Sequence, residues 1–406
     1  MKITGIIAEY NPLHLGHKHH IEESRKKSNA EGIVCVMSGN FMQRGIPAII
    51  DKWNRTRMAL ENGIDLVIEL PVVYSLSSAE FFAYGAVSLL NNIGVVDSLC
   101  FGSEVGDIKI LNTIAEILST EPEQYKTILR RYLNQNFSFP KSRAFALKDY
   151  LTSISNNNMQ LDSMLNSSNN ILGIEYCKSL YKLQSSIIPY TIKRIGSNYN
   201  SIDLEPGFSS ATAIRNHLKE GNSIHDLKDT LPSSVLSRIE QLKKENYSFV
   251  FEETMFPYIK YKILSEGKNL KNIPDASEGL NNRIVECVKN SNSYNELMAS
   301  IKSKRYAYTR LSRILCQYFV GFESYDTEFL RTQISPYGKI LGFNNIGAKI
   351  LKEAKHNTSI PLYTKMATQK NHVLNLDIQA TNVYSILNKK IAHNSDFLTS
   401  PIVLNK

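Results

Sequence analysis

IIAEYNPLHLGHKHH, residues Ile6–His20, contains the turn around which the rest of the chain is read. The apolar residues from Ile3 to Ala8 predict a short buried strand, Asn11-Pro12 a tight turn, and the stretch from near Gly16 a helix. Within the turn, His14 and His17 flank Leu15 and Gly16 as H-x-G-H. Glycine lets a bulky ligand come close to the backbone. The start of the following helix offers free amide groups and the positive end of its dipole, and a phosphate is the natural occupant. Taken alone, four such residues equally describe surface or metal-binding histidines. The strand before them and the helix after them favour the nucleotide.

Outward from this turn the chain alternates strand and helix. Ile33–Met37 (IVCVM), Asp65–Leu70 (DLVIEL) and Asp97–Phe101 (DSLCF) are short apolar runs that end at Ser38-Gly39, Pro71 and Gly102. Helical patterns lie between them near Asp51–Asn62 and Ser78–Asn92. Buried strands separated by helices predict an α/β, Rossmann-like fold, with a parallel sheet covered on both faces. Ligands then sit at the carboxyl ends of the strands. The loops Tyr10–Gly16, Ser38–Arg44, Pro71–Ser78 and Gly102–Gly106 are the candidates.

From about 107 to 168 the pattern becomes polar and helix-like and reads as a helical insertion followed by an Asn/Ser-rich loop. Ile171–Lys182 reads as an amphipathic helix and Ser186–Ile192 as a further strand. The Gly/Ser/Asn/Pro-rich segment 196–207 reads either as a flap over a triphosphate or as a surface connection. Ser210–Arg215 (SATAIR) sets small hydroxyl residues at a helix start, where they cap free amides, and places Arg215 one turn on. A composition shift near Glu220 marks a boundary. It divides a nucleotide-binding domain, 1–220, from a mainly helical, basic domain, 221–406. Residues 335–406 mix short apolar runs, among them Lys339–Phe343 and Val373–Leu376, with turns.

Charge and cysteine usage narrow the class. The chain has 406 residues and a formal charge of +9, which favours an acidic partner, nucleic acid ahead of a membrane surface. Lys302–Arg313 (KSKRYAYTRLSR) interleaves basic groups with tyrosines, a pattern suited to phosphates and unpaired bases. Lys302, Lys304, Arg305, Tyr306, Arg310 and Arg313 are the candidate RNA contacts. Five scattered cysteines with no C-x-x-C pair argue against a disulfide framework or a zinc site and fit a reducing cytoplasm. Glu9 interrupts the apolar N-terminal run, so no signal peptide is read, and Asp65, Glu69 and Pro71 break the most apolar region, so no membrane span is read. No Ser-His-Asp or Cys-His nucleophile set is poised, and His217, His225, His356, His372 and His393 read as structural.

These pieces together resemble one family. H-x-G-H after a strand and before a helix is the signature of nucleotidyltransferases and class I tRNA synthetases. Beside it stand Ser38–Pro47 (SGNFMQRGIP), Asp51-Lys52-Trp53, Gly63–Pro71 (GIDLVIELP), Phe101–Glu104 (FGSE), Asn169–Glu175 (NNILGIE), Arg194-Ile195, SATAIR and Lys302–Arg313. The ensemble is similar to the bacterial tRNA(Met) cytidine acetate ligase family along nearly the whole chain. SATAIR departs from the S-S-T-x-I-R pattern at Ala211.

The resemblance implies a two-step enzyme. ATP, as its Mg2+ complex, and acetate give acetyl-adenylate. The acetyl group then passes to N4 of the wobble cytidine of elongator tRNA(Met), with AMP released. It implies an ATP site formed by Ile7, Ala8, Glu9, Tyr10, Asn11, Pro12, Leu13, His14, Leu15, Gly16, His17, Lys18, His19 and His20, with Gly102, Asn169, Arg194 and Ile195. Ser210, Thr212 and Arg215 join it through SATAIR, and His14 and His17 are the catalytic pair. No acidic cluster announces a dedicated metal site.

The chemistry agrees with this. Acetate is already a nucleophile, so the first step needs positioning and stabilisation of charge on the α-phosphate and the departing pyrophosphate. Ser38, Asn40, Lys52 and Arg55, near the predicted mouth, are candidates for acetate or RNA contact. Two other readings stay open on the residues alone: an adenylyltransferase acting on a small phosphorylated metabolite, and a non-catalytic RNA-binding protein with a vestigial nucleotide site.

Overall fold

The structure, a computed structural model, describes residues 1–135, 137, 139–154, 165, 167–194, 207, 209–366 and 371–405. Its main sheet is built from β1 (Ile3–Ala8), β2 (Gly32–Ser38), β3 (Leu66–Leu70), β4 (Ser98–Ser103), β5 (Ile188–Lys193), β6 (Gly338–Asn344), β7 (Leu362–Tyr363) and β8 (Ile402–Leu404). The spatial order is β8-β6-β3-β2-β1-β4-β5, with β7 also paired to β6. β1 runs parallel to β2 and β4, β2 to β3, and β4 to β5. The expected strands therefore form, each within a residue or two of its predicted ends. In the order 3-2-1-4-5 the strands are added outward in opposite directions from the β1–β4 pair, and such a switch point opens a crevice at the strands' carboxyl ends.

Burial explains why these segments are strands. Ile33, Cys35 and Met37 belong to one apolar cluster, and Val34 and Val36, pointing the other way, to a second. Both faces of β2 are thus buried, which requires a continuous apolar run instead of an alternating one. Helices cover both faces. α1 (Leu15–Ser28) follows β1, α2 (Lys52–Glu61) follows β2, and α3 (Ala79–Asn92) follows β3. The predicted insertion is helical at Ile108–Thr120, Glu123–Leu133 and Phe139–Ile154. It leads to α4 (Ser168–Lys182), which starts earlier than its apolar pattern indicates.

The C-terminal half departs from expectation. Its first part is helical, including Phe256–Glu266, Leu280–Lys289, Tyr294–Ile301 and α6 (Tyr308–Val320), which follows α5 (Ala211–Lys219) in the labelling used here. After that the chain returns to the sheet. β6 lies antiparallel against β3, pairing Leu66 with Phe343 and Glu69 with Lys339, and β8 adds outside it. Ile259, Ile284, Leu297 and Leu311 share one contiguous apolar cluster with Val34, Leu66 and Leu99 of the sheet. The composition shift near residue 220 therefore marks a change of secondary structure and does not divide two separate cores.

A buried ionic quartet fastens this return. Lys52 Nζ lies 2.8 Å from Glu69 Oε1 and 2.7 Å from Asp396 Oδ1. Lys339 Nζ lies 3.0 Å from Glu69 Oε2 and also bonds Asp396. Two cations and two carboxylates cancel, which is the condition for burying charge without a large desolvation penalty. Among the described residues no helix is long and apolar enough to cross a membrane.

Candidate active site at the sheet switch point

The carboxyl ends of β1 and β4 border a cavity of about 180 Å³. At roughly 10–15 Å³ per water, it has room for on the order of a dozen waters. The crossover is therefore open. Ile7, Ala8, Glu9, Tyr10 and Asn11 line it from the end of β1, and His14, Gly16, His17, His19 and His20 from the start of α1. Gly102, Asn169, Arg194, Ser210 and Arg215, also expected there, line it as well.

Local hydrogen bonds fix the two central imidazoles. His14 is the N-cap of α1, and its Nδ1 accepts the Gly16 N–H at 3.1 Å. His17 Nδ1 accepts the His14 N–H at 3.3 Å, so the pair forms a reciprocal capping box. A nitrogen that accepts carries no proton, so in each neutral ring the hydrogen sits on Nε2. The rings stack at 3.7 Å between centroids with 31° between planes, and Tyr10 packs edge-on against His17. Burial, then the cations Arg194 and Arg215, push His14 down to about 3. Burial and His14 hold His17 well below its ordinary value, and burial and Arg194 bring His20 to about 4. Both central histidines are thus neutral donors whose proton is on Nε2.

Two arginines stand around them. Arg215 donates to the Asn11 carbonyl at 2.9 Å and to Thr212 Oγ1 at 3.0 Å. Ser210 caps α5 by accepting the Ala213 N–H at 3.0 Å. Thr212 thus serves to hold Arg215 and does not line the cavity. Arg194 leaves the end of β5, its stem beside Gly102, where a Cβ would come within 3.3 Å of Arg194 Cγ.

Asn169 is held by Glu104. The Glu104 carboxylate accepts Asn169 Nδ2 at 2.7 Å, the Asn169 N–H at 3.3 Å and the Asn170 N–H at 2.8 Å. In return Asn170 Oδ1 accepts the Glu104 and Val105 N–H groups at 2.9 and 3.1 Å. A remote carboxylate capping its first turn lets α4 begin within a polar stretch that reads as loop.

Several expected residues lie elsewhere. Pro12, Leu13, Leu15 and Lys18 do not line the cavity. Leu13 is core, Leu15 N–H binds the Thr230 carbonyl, and the helical turn carries Lys18 off the cavity face. Ile195 lies outside the described residues, as does most of segment 196–207. Ser38, Asn40, Lys52 and Arg55 are buried and do not line it. Asn40 Oδ1 accepts the Lys52 N–H at 2.9 Å, and Lys52 belongs to the quartet. Arg55 donates to the carbonyls of Glu9, Ser38, Gly39 and Ile50, so it ties the ends of β1 and β2 together from behind.

The cavity also has walls that motif reading missed. Phe82, Phe101, Leu172, Tyr176 and Ile192 line one part, with Phe101 and Tyr176 rings 5.4 Å apart. Leu172 and Tyr176 are four apart on α4, a spacing that ordinarily marks core. Gln43, Lys193, Ser209 and Ala211 are the remaining additions. Gln43 falls within the expected loop Ser38–Arg44. The cavity is therefore lined by apolar and aromatic side chains as well as by imidazoles and cations.

The basic stretch is divided by burial. Lys302, Lys304 and Arg305 are exposed and Arg310 is half-buried. Tyr306 and Arg313 are buried, at 7% and 8% exposure, so neither presents itself to a nucleic acid as the sequence pattern indicates. Tyr306 lies under the guanidinium groups of Arg305 and Arg310, and the exposed ring is Tyr308. α6 backs directly onto the hairpin Phe41–Pro47. Gly45 has φ +80°, a Cβ there would lie 2.2 Å from Arg313 N, and Ser312 Oγ donates to its carbonyl. Gln43 of the same hairpin lines the cavity.

Known proteins match along the full length. The family model described as HIGH Nucleotidyl Transferase covers residues 1–397. The tRNA(Met) cytidine acetate ligase of Clostridium novyi (strain NT) is 57% identical over 404 residues, covering 100% of both chains. The protein of the same name from Clostridium kluyveri is 55% identical over 409 residues, again covering 100% of both. The crystal structure of Thermotoga maritima TmcAL, apo form I, superposes with a TM-score of 0.92 at 33% identity, covering 100% of each chain. The form of that protein bound with alpha-thio ATP superposes at 0.90, with the same identity and coverage.

Proposed function

The chain belongs to the HIGH nucleotidyl transferase family, and from that premise we propose that it is an ATP-dependent acetate ligase that acetylates N4 of the wobble cytidine of elongator tRNA(Met). The observation that carries the reading is the stacked, neutral His14–His17 pair at the sheet switch point, facing a cavity that Arg194 and Arg215 border. In this reading adenine packs among Phe82, Phe101, Leu172 and Tyr176, with Asn169 beside it. The triphosphate lies against His14, His17 and the two arginines. An acetate oxygen attacks the α-phosphorus, the bond to the β-phosphate oxygen breaks, and pyrophosphate leaves with the electron pair.

Two Nε2–H donors and two guanidinium groups meet charge that grows on the phosphates, and they meet it in a buried site where such contacts are strongest. Neutral imidazoles suit this because they donate at every pH near neutrality. Among the described residues no group of three or more His, Cys, Asp or Glu is placed to hold a metal ion. Magnesium would therefore arrive on the triphosphate, where it neutralises phosphate charge. The exposed Lys302, Lys304 and Arg305 are proposed contacts for the tRNA backbone. They lie just ahead of α6, which packs on the hairpin that reaches the cavity.

The test is incubation with ATP and labelled acetate, with and without tRNA. Label in RNA at N4-acetylcytidine, with AMP and pyrophosphate released, supports the reading. AMP transferred to a small phosphorylated acceptor, with RNA unlabelled, overturns it.

A further inference from the structure

One charged group at the cavity carries the wrong sign for binding phosphate. Glu9 sits at the end of β1, and among the described residues it is the only acidic side chain lining the cavity. Its Oε1 accepts the Gln43 N–H at 2.6 Å. Among the described residues its Oε2 makes no hydrogen bond and no cation lies within ion-pair distance of either oxygen. A lone carboxylate beside a triphosphate opposes its binding. Its presence calls for a task in the other half of the reaction.

That half-reaction needs a proton acceptor. The exocyclic amine of cytosine is conjugated with its ring and is a poor nucleophile until it sheds a proton. His14 and His17 have their Nδ1 atoms occupied by backbone N–H groups and their protons on Nε2, so they donate and do not accept. Arg194 and Arg215 carry guanidinium groups, which are donors with no acceptor site. We infer that Glu9 is the general base of the acetyl-transfer step, with Oε2 taking a proton from N4 of the target cytidine as that nitrogen attacks the acetyl-adenylate. The inference rests on the proposed ligase function.

The step balances as follows. The N4 lone pair forms a bond to the acetyl carbonyl carbon, and one N4 hydrogen passes to Glu9. The carbonyl then re-forms as the carbon–oxygen bond to the phosphate breaks, and AMP departs with that electron pair. The proton on Glu9 returns to solvent after the product leaves.

The surroundings suit the role. Burial raises the Glu9 carboxyl above its ordinary value of 4.5, towards the working pH, where a general base is most effective. The hydrogen bond from the Gln43 N–H opposes that rise most, followed by Arg215 from α5, Arg44 from the hairpin and Arg55 from α2. His14, His17, His19 and His20 of α1, Tyr10 after β1, Tyr176 of α4, and Lys193 and Arg194 at the end of β5 are the other titratable or charged groups lining the cavity. Holding the carboxylate through the Gln43 N–H fixes one oxygen and leaves the other aimed for use. It also couples the base to the hairpin that α6 supports.

The test uses Glu9→Gln, which keeps the size and an oxygen for the Gln43 N–H. Two rates are measured from about pH 5.5 to about pH 9. One is acetate-dependent pyrophosphate exchange. The other is single-turnover transfer from preformed acetyl-adenylate to tRNA(Met). The expected loss in transfer is about 10²–10⁴-fold, at least about 100-fold beyond any loss in exchange. The rise of wild-type transfer with pH disappears in Glu9→Gln and returns, at a lower rate, in Glu9→Asp. Equal losses in both rates overturn the inference, as does a pH limb that survives in Glu9→Gln. A raised magnesium requirement for exchange with transfer intact also overturns it, since Glu9 would then be a metal ligand. Wild-type transfer with an unaffected variant sinks this inference alone, whereas wild-type exchange with no transfer to RNA sinks the ligase reading with it.

Discussion

Replacing Glu104 by Gln tests whether Asn169 is placed for the nucleotide by the clamp at the start of α4. The carboxylate accepts three N–H groups there, at 2.7, 2.8 and 3.3 Å. An amide keeps one acceptor oxygen and turns an N–H toward the remaining donors. A hydrogen bond to a charged group contributes about 1.5–3 kcal/mol. The clamp is part-buried and Asn170 still binds back to the Glu104 and Val105 amides, so a net loss of about 1–2 kcal/mol in the placement of Asn169 is expected. At 1.4 kcal/mol per tenfold, the KM for ATP should rise about 5- to 30-fold. The assay is acetate-dependent pyrophosphate exchange against ATP concentration, with tRNA affinity measured separately. An unchanged KM alongside a lowered thermal midpoint would show that Glu104 secures the helix and does not place Asn169 for the nucleotide.

Other expectations follow from the same geometry. His17→Ala should abolish acetyl-adenylate formation and leave tRNA retention on filters nearly intact, and equal loss of both would make the residue structural. His14 and His20 are held neutral, at about 3 and about 4 against 6.5 when exposed. Below pH 6.5 the unfolded chain binds protons that the native cavity refuses, so their contribution to stability is full above that pH and falls away toward about pH 3. Denaturation midpoints should therefore decline on acidification, less steeply in His14→Gln, and identical slopes would refute the assignment. Removing the charges of Lys304 and Arg305 should weaken tRNA binding and flatten its salt dependence. Tyr306→Ala should instead lower stability by about 3–5 kcal/mol, as loss of a buried aromatic side chain does, and a selective loss of tRNA binding with stability unchanged would reverse that placement.

What the sequence made legible was local. The apolar runs of β1 to β4 are buried on both faces, so composition alone marks them. The turn into α1 is visible because His14, Gly16 and His17 lie within four residues, whereas the capping of the helix by His14 is seen only in the structure. Lys339–Phe343 is as apolar as β2, yet its place against β3 depends on a partner more than 250 residues away, and a short apolar run carries no record of its neighbour. Val373–Leu376, equally apolar, is the start of the helix His372–Leu387. Lys52 and Arg55 read as candidate acetate or RNA contacts because their partners are long-range or backbone and leave no local trace: Glu69, Asp396 and the carbonyls of four residues. Tyr306 misled for the related reason that an aromatic residue between cations looks the same whether the cations lie over it or beside it. Phe82, Phe101 and Tyr176 were unreadable as cavity walls because nothing in their spacing distinguishes a wall from a core.

The buried quartet bears on how a helical half proposed to meet RNA can serve a site built on the sheet. Lys52 and Glu69 come from the first half of the chain, Lys339 and Asp396 from the last quarter. Removing any one partner leaves an uncompensated buried charge, which is costly by about 3–5 kcal/mol. The two halves also share one apolar cluster. Between them runs the hairpin Phe41–Pro47, with Gln43 on the cavity and Gly45 pressed against α6. Such packing resists hinge motion, which needs an interface that is small and weakly held. An acyl-adenylate is prone to hydrolysis, and its proposed acceptor is a large RNA that would dock on the exposed cations ahead of α6. Fixing the docking surface to the cavity through a shared core lets the RNA place its base by rigid geometry. In that arrangement the entropy of alignment is met at binding and not at the transition state.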